Sequence, residues 1–210
     1  LKLIHTHKPG LLNGLSATCG LSLGEYSALA LSGVIDEDDA LRLVAVRGSL
    51  MGKASENRSS KMLAILKMTE EEVRKITEEN PDFKGKLYIA NINSSRQIIV
   101  SGEGEAIDKL KAFLKANGKL AKPLAVSGAF HTPFMESAKD AFVTMLEGTS
   151  FNSPEISYYP NVTGEKYEGT PMSEVLSEQI VSPVLLYKTF KEMVADGIKH
   201  FLEIGPGGVL

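Results

Sequence analysis

Residues 15–24, Leu-Ser-Ala-Thr-Cys-Gly-Leu-Ser-Leu-Gly, decide the fold class of this chain. The first five, bounded by Gly14 and Gly20, predict a short buried strand, and a helix is expected from Gly24. The turn between them has the pattern G-x-S-x-G, in which glycines permit a tight bend and helix-start N–H groups can stabilise an oxyanion. Ser22 is therefore a candidate nucleophile. The other interpretation is a glycine-bounded loop whose serine only caps the helix.

The rest of the chain has mixed α/β character around a middle unit of different order. Acidic residues from Asp36 to Asp39 begin a long, mostly apolar helix at about 38–54. The middle unit has the order strand, helix, strand, strand, helix, strand, which is ferredoxin-like, and Thr69 with Glu72 predicts a capping box in it. Its last strand is expected at 120–126, and a final strand of the chain at 201–204. We expect a larger α/β-hydrolase-like domain with a parallel sheet, residues 1–60 and 127–210, interrupted by a ferredoxin-like subdomain, residues 61–126.

Composition excludes several classes of protein. The 210 residues include 23 Lys and Arg against 26 Asp and Glu, a net charge of -3, and no basic run offers a footprint for nucleic acid. No stretch approaches the roughly 20 apolar residues that cross a bilayer. Cys19 is the single cysteine, so no intramolecular disulfide framework is possible. We expect a soluble protein with no metal and no bound cofactor, and with neither nucleic acid nor a membrane as partner.

A serine nucleophile needs a base, because its hydroxyl is protonated at neutral pH. Of the four histidines, His5 and His7 lie in a polar N-terminal stretch, and His200 precedes the last predicted strand. His131 lies in a loop of small residues that leads into a helix, which suits a general base. The alternative is a histidine that caps or packs where two domains meet.

Arg47 lies in the apolar middle of the long predicted helix. An arginine is rarely buried without a partner, and an unpaired guanidinium in a low-dielectric site costs several kcal/mol. Its partner is either an Asp or Glu of the protein or the free carboxylate of a substrate. The sequence leaves both open.

Six motifs, in the same order along the chain, resemble the malonyl-CoA:acyl carrier protein transacylases of fatty acid synthesis, which are related to the acyltransferase domains of polyketide synthases. The motifs are Gly20-Leu21-Ser22-Leu23-Gly24-Glu25-Tyr26-Ser27-Ala28-Leu29, Arg47-Gly48 with Met51, Asn91-Ile92-Asn93-Ser94, Gly128-Ala129-Phe130-His131, Gln179 with Ser182-Pro183-Val184, and Glu203-Ile204-Gly205-Pro206-Gly207.

This resemblance implies an activity and a role for each site residue. Ser22 is the nucleophile that carries the acyl group, His131 is its general base and acid, and Arg47 holds the malonyl carboxylate. The backbone carbonyl of Gln179 orients the histidine, and the Leu23 N–H is one oxyanion-hole donor. Substrate contacts also fall on Leu21, Met51 and Phe130, where the bulk of Phe130 before the histidine disfavours an α-methyl group on the donor. The implied partners are malonyl-CoA and the phosphopantetheine thiol of an acyl carrier protein, and we expect a monomer.

The chain departs from the family in two respects. Leu21 stands where the family usually has histidine before the nucleophile, which removes a polar neighbour of the substrate carboxylate. The family's N-terminal segment, with the glutamine that supplies a second oxyanion donor, and its C-terminal helix are not in the sequence, so we expect a fragment. The expected location is the cytoplasm, or a plastid or mitochondrion if a transit peptide precedes Leu1.

Two rival functions stay open. An α/β-hydrolase-type esterase shares the G-x-S-x-G turn but takes its histidine from late in the chain, where only His200 is available. The other rival is a non-catalytic docking domain for carrier proteins, descended from an acyltransferase. The contact partner of Ser22, His131 or His200, distinguishes the esterase from the transferase.

Overall fold

A computed structural model of the protein describes residues 6–56, 58–126 and 128–205. Within these ranges it has the following helices and strands: β1 Ala17–Thr18, α1 Gly24–Leu31, α2 Glu37–Ser55, β2 Ser60–Leu66, α3 Glu70–Arg74, β3 Leu87–Ser94, β4 Gln97–Glu103, α4 Gly104–Ala116, β5 Leu120–Pro123, α5 Glu136–Glu147, β6 Ser157–Tyr158, α6 Met172–Val181 and α7 Leu186–Ala195. Short 3-10 turns cover Pro9–Leu12 and Pro133–Met135, and α3 continues as a π-helix over Lys75–Glu79.

The first layer is a short parallel sheet packed against helices. Strand β1 pairs with β6 in parallel, with Ala17 opposite Ser157 and Thr18 opposite Tyr158. The core beside it is formed mainly by α1, α2, α5 and α6, and Leu29, Leu43, Phe142 and Leu176 are fully buried in it. The predicted α/β class with a parallel sheet is confirmed.

The second layer is an antiparallel sheet with the strand order β3-β4-β2-β5. Because side chains alternate across a strand, Leu63 and Ile65 of β2 face a core shared with α3 and α4, which includes Val73 and Leu110. Met62 and Ala64 face the other side, where Phe130 packs against them. Both faces of this sheet are therefore covered.

Two helix starts follow the acidic and capping patterns in the sequence. The Asp36 side chain accepts a hydrogen bond from the Asp39 N–H at 2.7 Å and caps α2. At α3 the predicted capping box is confirmed: the Glu72 N–H donates to the Thr69 hydroxyl, and the Thr69 N–H donates to the Glu72 carboxylate at 2.8 Å. All three hydrogen bonds satisfy backbone N–H groups that have no partner within the helix.

Two strand predictions differ from the structure. Strand β5 ends at Pro123 and does not reach residue 126, and residues 201–204 form no strand. Phe201, Leu202 and Ile204 are exposed, and no described strand pairs with them. An apolar run becomes a strand only where a neighbour accepts its backbone hydrogen bonds, so the last prediction was wrong for this structure.

The segment before α7 joins the antiparallel sheet to the rest of the molecule. The Val184 N–H donates to the Ala90 carbonyl at 2.9 Å, and the Ile92 N–H donates to the Val184 carbonyl at 2.9 Å. The next residue, Leu185, donates its N–H to the Asn161 carbonyl at 2.9 Å. One short segment thus binds strand β3 on one side and the loop after β6 on the other. Among the described residues, no helix combines the length and the apolar character needed to cross a membrane.

Candidate active site

Ser22 lies on a strained turn between β1 and α1. Its φ is 51°, in the left-handed region that non-glycine residues rarely adopt, and such strain is typical of functional sites. A Cβ at Gly20 would lie 2.1 Å from the carbonyl carbon of Gly24, so only glycine fits there. A Cβ at Gly24 would meet nothing within 4 Å. The close approach in this turn therefore depends on the first glycine of the motif and not on the second.

Asn161 fixes this turn from the loop after β6. The Ser22 N–H donates to Asn161 Oδ1 at 2.7 Å, and Asn161 Nδ2 donates to the Gly20 carbonyl at 2.5 Å. Because β1 and β6 are parallel neighbours, their carboxyl ends meet at the same edge of the sheet. The G-x-S-x-G motif alone did not identify Asn161, which lies just after β6.

His131 contacts the serine directly. Its Nε2 lies 2.7 Å from Ser22 Oγ, and its Nδ1 lies 2.8 Å from the Gln179 carbonyl oxygen. A carbonyl oxygen only accepts, so Nδ1 carries the proton and Nε2 is left to accept the serine hydroxyl proton. His131 also has a positive φ, 60°. The Gln179 carbonyl thus occupies the place that a carboxylate takes in a three-residue triad.

Burial and a neighbouring cation keep His131 neutral. Desolvation and the Arg47 charge lower the pKa of His131 to about 4, although the carbonyls of Gln179 and Ser182 oppose the shift. At neutral pH the ring is therefore uncharged, with its one proton on Nδ1, and Nε2 can accept a second proton.

Arg47 is buried, 5% exposed, and contacts the same serine oxygen. Its Nη2 donates to Ser22 Oγ at 2.9 Å and to Gln179 Oε1 at 2.9 Å, and its guanidinium carbon lies 5.7 Å from the centre of the Tyr26 ring. In the described part of the chain no Asp or Glu forms an ion pair with it, and its buried Nε has no hydrogen-bond partner. The sequence left two partners open for Arg47, a carboxylate of the protein or one of a substrate. Among the described residues, no protein carboxylate forms an ion pair with it.

Glu25 is a second ionisable residue buried beside the serine. Its carboxylate accepts hydrogen bonds from the Tyr158 hydroxyl, from the Asn161 N–H at 2.8 Å and from Gln179 Nε2. Burial raises the pKa of Glu25, and these hydrogen bonds and the Arg47 charge oppose the shift. Neither Glu25 nor the Gln179 side chain has a local signal in the sequence that marks it as a site residue, because their contacts join residues more than 130 positions apart.

The four other predicted site residues are described by their burial and packing. Leu21 is half-buried, and Leu23 is exposed; the Leu23 N–H has no backbone acceptor among the described residues. Met51 is buried in the core one helical turn after Arg47. Phe130 packs between the two layers, against both the large core and the sheet face around Met62 and Ala64. Contact with a substrate stays a prediction for all four.

A cleft of about 460 Å³ leads to the histidine from the antiparallel layer. His131, Pro133 and Val181 line one side, and Tyr88 with Lys84 lines the other. In the described ranges no group of three or more His, Cys, Asp or Glu side chains is placed to hold a metal ion.

Neither His7 nor His200 contacts the serine. His7 and His200 are exposed, and no hydrogen bond joins either to Ser22 among the described residues; His5 lies outside those residues. The late histidine that an esterase of the α/β-hydrolase type requires is therefore not at this site.

Comparison with known proteins shows which family this chain belongs to. Residues 15–210 match the model of the acyl transferase domain family. The chain is 34% identical over 195 residues to the malonyl CoA-acyl carrier protein transacylase of Bacillus subtilis, which covers 92% of this chain and 62% of the relative. It thus spans about three fifths of the length of that curated relative.

Solved structures give the same result. The malonyl CoA-acyl carrier protein transacylase from Clostridium perfringens superposes with a TM-score of 0.85 at 39% identity, covering 90% of this chain and 60% of that one. A malonyl-transacylase solved in complex with its type II PKS acyl-carrier protein superposes with a TM-score of 0.85 at 35% identity, over 91% of this chain and 62% of that one. The family resemblance read from the sequence motifs is confirmed, and the chain belongs to the acyl transferase domain family.

Proposed function

We propose that this chain carries the active site of a malonyl-CoA:acyl carrier protein transacylase, which moves malonyl from coenzyme A to a phosphopantetheine thiol in fatty acid synthesis. The observation that carries the proposal is the meeting of three groups at one oxygen: Ser22 Oγ lies 2.7 Å from His131 Nε2 and 2.9 Å from Arg47 Nη2. A relative and solved neighbours named as malonyl transacylases support the same substrate and partner.

In the first half of the reaction, Ser22 Oγ attacks the thioester carbonyl carbon of malonyl-CoA and gives its proton to His131 Nε2. The Leu23 N–H stabilises the oxyanion of the tetrahedral intermediate. The intermediate collapses with cleavage of the carbon–sulfur bond, and the departing coenzyme A sulfur takes the proton from His131. The product is a malonyl ester of Ser22.

In the second half, the phosphopantetheine thiol gives its proton to His131 Nε2 and its sulfur attacks the ester. The carbon–oxygen bond to Ser22 breaks, and His131 returns the proton to Oγ. The Gln179 carbonyl keeps the proton on Nδ1 throughout, so Nε2 alone exchanges protons. The phosphopantetheine arm of either partner approaches along the cleft beside Tyr88 and Lys84, whose lining includes His131.

Arg47 selects donors that carry a free carboxylate. Its guanidinium is buried and has no carboxylate partner among the described residues, so a donor such as malonyl-CoA supplies the missing charge. Acetyl-CoA leaves the guanidinium unpaired in a low-dielectric site and is a poor donor.

The first prediction concerns covalent loading. Radiolabelled malonyl-CoA should label wild-type protein at Ser22, and Ser22→Ala should abolish the label. Arg47→Ala should reduce malonyl loading by about 10- to 100-fold, the worth of one hydrogen bond to a charged group, and should narrow the preference for malonyl-CoA over acetyl-CoA.

Arg42→Ala is the matched control for that experiment, because Arg42 is an exposed arginine on the same helix and pairs with Asp39. It should load malonyl at the wild-type rate. Label on a residue other than Ser22, or an undiminished malonyl preference in Arg47→Ala, contradicts the assigned roles.

We also propose the finer division of the fold. The antiparallel unit is a ferredoxin-like subdomain of residues 61–126, inserted in an α/β-hydrolase-like domain of residues 1–60 and 127–210. The strand order β3-β4-β2-β5 with helices after β2 and β4 supports this division, and so does a core cluster whose fully buried residues all fall between Leu63 and Leu114. Cooperative unfolding of a fragment of residues 58–126 tests it.

A further inference from the structure

The side chain of Gln179 links the buried carboxylate of Glu25 to Arg47. Its Nε2 donates to Glu25 and to the Ser22 carbonyl, the latter at 3.0 Å, and its Oε1 accepts from Arg47 Nη2 at 2.9 Å. Glu25 is fully buried and Gln179 is fully buried. The proton transfers of the proposed reaction use the Gln179 backbone carbonyl and leave this side chain without a role.

The three contacts fix which way the Gln179 amide points. In the opposite orientation its oxygen would face two acceptors, the Glu25 carboxylate and the Ser22 carbonyl, and its NH2 group would face a donor, Arg47 Nη2. Each of these contacts would then be repulsive. Glu25 therefore ensures that an amide oxygen, and not an amide NH2, is presented to the guanidinium.

This arrangement orients Arg47 without a direct ion pair among the described residues. Both hydrogens of Nη2 are used, one on Gln179 and one on Ser22, while the buried Nε has no acceptor in the described part of the chain. A glutamate directly on the guanidinium would take the two parallel donors that bind a carboxylate best. An amide oxygen takes a single donor and carries no net charge.

We propose that Glu25 and the side-chain amide of Gln179 form a positioning pair, which holds Arg47 against Ser22 while leaving the remaining guanidinium donors for the carboxylate of the acyl donor. The inference rests on the proposed function and assigns donor selection to two residues that never touch the donor.

The test compares two reactions of Ser22 in the full chain. One is malonyl ester formation from malonyl-CoA, which needs Arg47; the other is phosphonylation by an uncharged organophosphorus fluoride, which needs only the serine and its base. Glu25→Gln and Gln179→Met each remove one half of the pair, and the second keeps the backbone carbonyl that contacts His131.

In both variants the KM for malonyl-CoA should rise about tenfold, in line with the loss of one hydrogen bond near a charged group. Malonyl loading should fall about tenfold more than phosphonylation does, and the preference for malonyl-CoA over acetyl-CoA should narrow. A residue that only stabilises the fold would lower both reactions by the same factor.

Matched controls are available for both changes. Gln97 is the chain's other glutamine and lies at the start of β4, and Glu165 is an exposed glutamate paired with Lys188. Gln97→Met and Glu165→Gln should leave both reactions at wild-type rates. An unchanged ratio of the two reactions in Glu25→Gln and Gln179→Met overturns the positioning pair. Wild-type protein that is phosphonylated at Ser22 but forms no malonyl ester rejects the proposed function itself, and the positioning pair with it.

Discussion

His131 combines deep burial with a neighbouring cation, and this combination sets the pH range of the site. Its pKa of about 4 lies below the usual 6.5, so the ring becomes protonated, and loses its capacity as a base, only as the pH falls towards 4. Phosphonylation of Ser22 should therefore stay constant from about pH 8 to about pH 5 and decline below that, whereas an ordinary histidine would already be half protonated near pH 6.5.

The Arg47→Ala variant checks the cause of that low pKa. Since the Arg47 charge is the second contribution to it after burial, its removal should move the acidic decline of phosphonylation to higher pH. Rate profiles of wild type, Arg47→Ala and the control Arg42→Ala give the comparison. A wild-type midpoint near 6.5, or an Arg47→Ala profile that moves to lower pH, contradicts this account.

The two glycines of the serine turn offer a second comparison between single residues. A Cβ at position 20 would lie 2.1 Å from the Gly24 carbonyl carbon, whereas one at position 24 would meet no atom within 4 Å. Gly20→Ala must shift backbone, so we expect a loss of about 3 kcal/mol in the free energy of unfolding and loss of malonyl loading. Gly24→Ala lies at the first position of α1 and should be neutral or slightly stabilising. Urea denaturation of both variants measures the difference. Equal losses in the free energy of unfolding would contradict the distinct roles of the two glycines.

Helix α2 carries Arg47, and its first turn is stabilised by a side-chain cap. Asp36 accepts the Asp39 N–H at 2.7 Å, and replacing such a cap by alanine costs about 1 kcal/mol. Asp36→Ala should lose that amount in urea denaturation. Asp38→Ala removes an exposed charge of the same turn that does not cap the helix, and we expect a smaller loss of about 0.5 kcal/mol. The cap has no measurable role if the two variants unfold at the same midpoint.

Elements with a strong local signal were predicted correctly, whereas one strand that needs a distant partner was not. The long helix was expected at about 38–54 and spans Glu37–Ser55, because its acidic start and apolar middle are local signals. The strand expected at 201–204 is not formed, because a strand needs a partner that the sequence pattern does not reveal.

The same distinction holds for the candidate site. Ser22, His131 and Arg47 could be selected because each is an unusual residue in its own local sequence, and the structure brings their side chains together. Glu25 and Asn161 could not, because their significance lies in contacts with residues more than 130 positions away. The role of the Gln179 backbone carbonyl was predicted from the family resemblance, whereas no signal in the sequence indicated a role for its side-chain amide.

At the scale of the whole molecule, Val184 connects the antiparallel layer to the serine turn. It is fully buried, it exchanges backbone hydrogen bonds with Ala90 and Ile92, and the following residue donates to Asn161, which binds the Ser22 N–H. A substitution that destabilises this segment should therefore destabilise both layers and not one alone.

Val184→Ala tests this connection. Removing buried methyl groups should cost about 1 to 3 kcal/mol, and hydrogen exchange measured by mass spectrometry should become faster both in peptides from β2 to β5 and in peptides that contain Ser22. Val194→Ala truncates a valine that is 59% exposed and should leave exchange unchanged. Faster exchange in the antiparallel layer alone would mean that the two layers fluctuate independently. A segment that connects the two layers would transmit the loss of stability to both of them. In that case, therefore, the Val184 segment would not fix the position of the cleft beside His131.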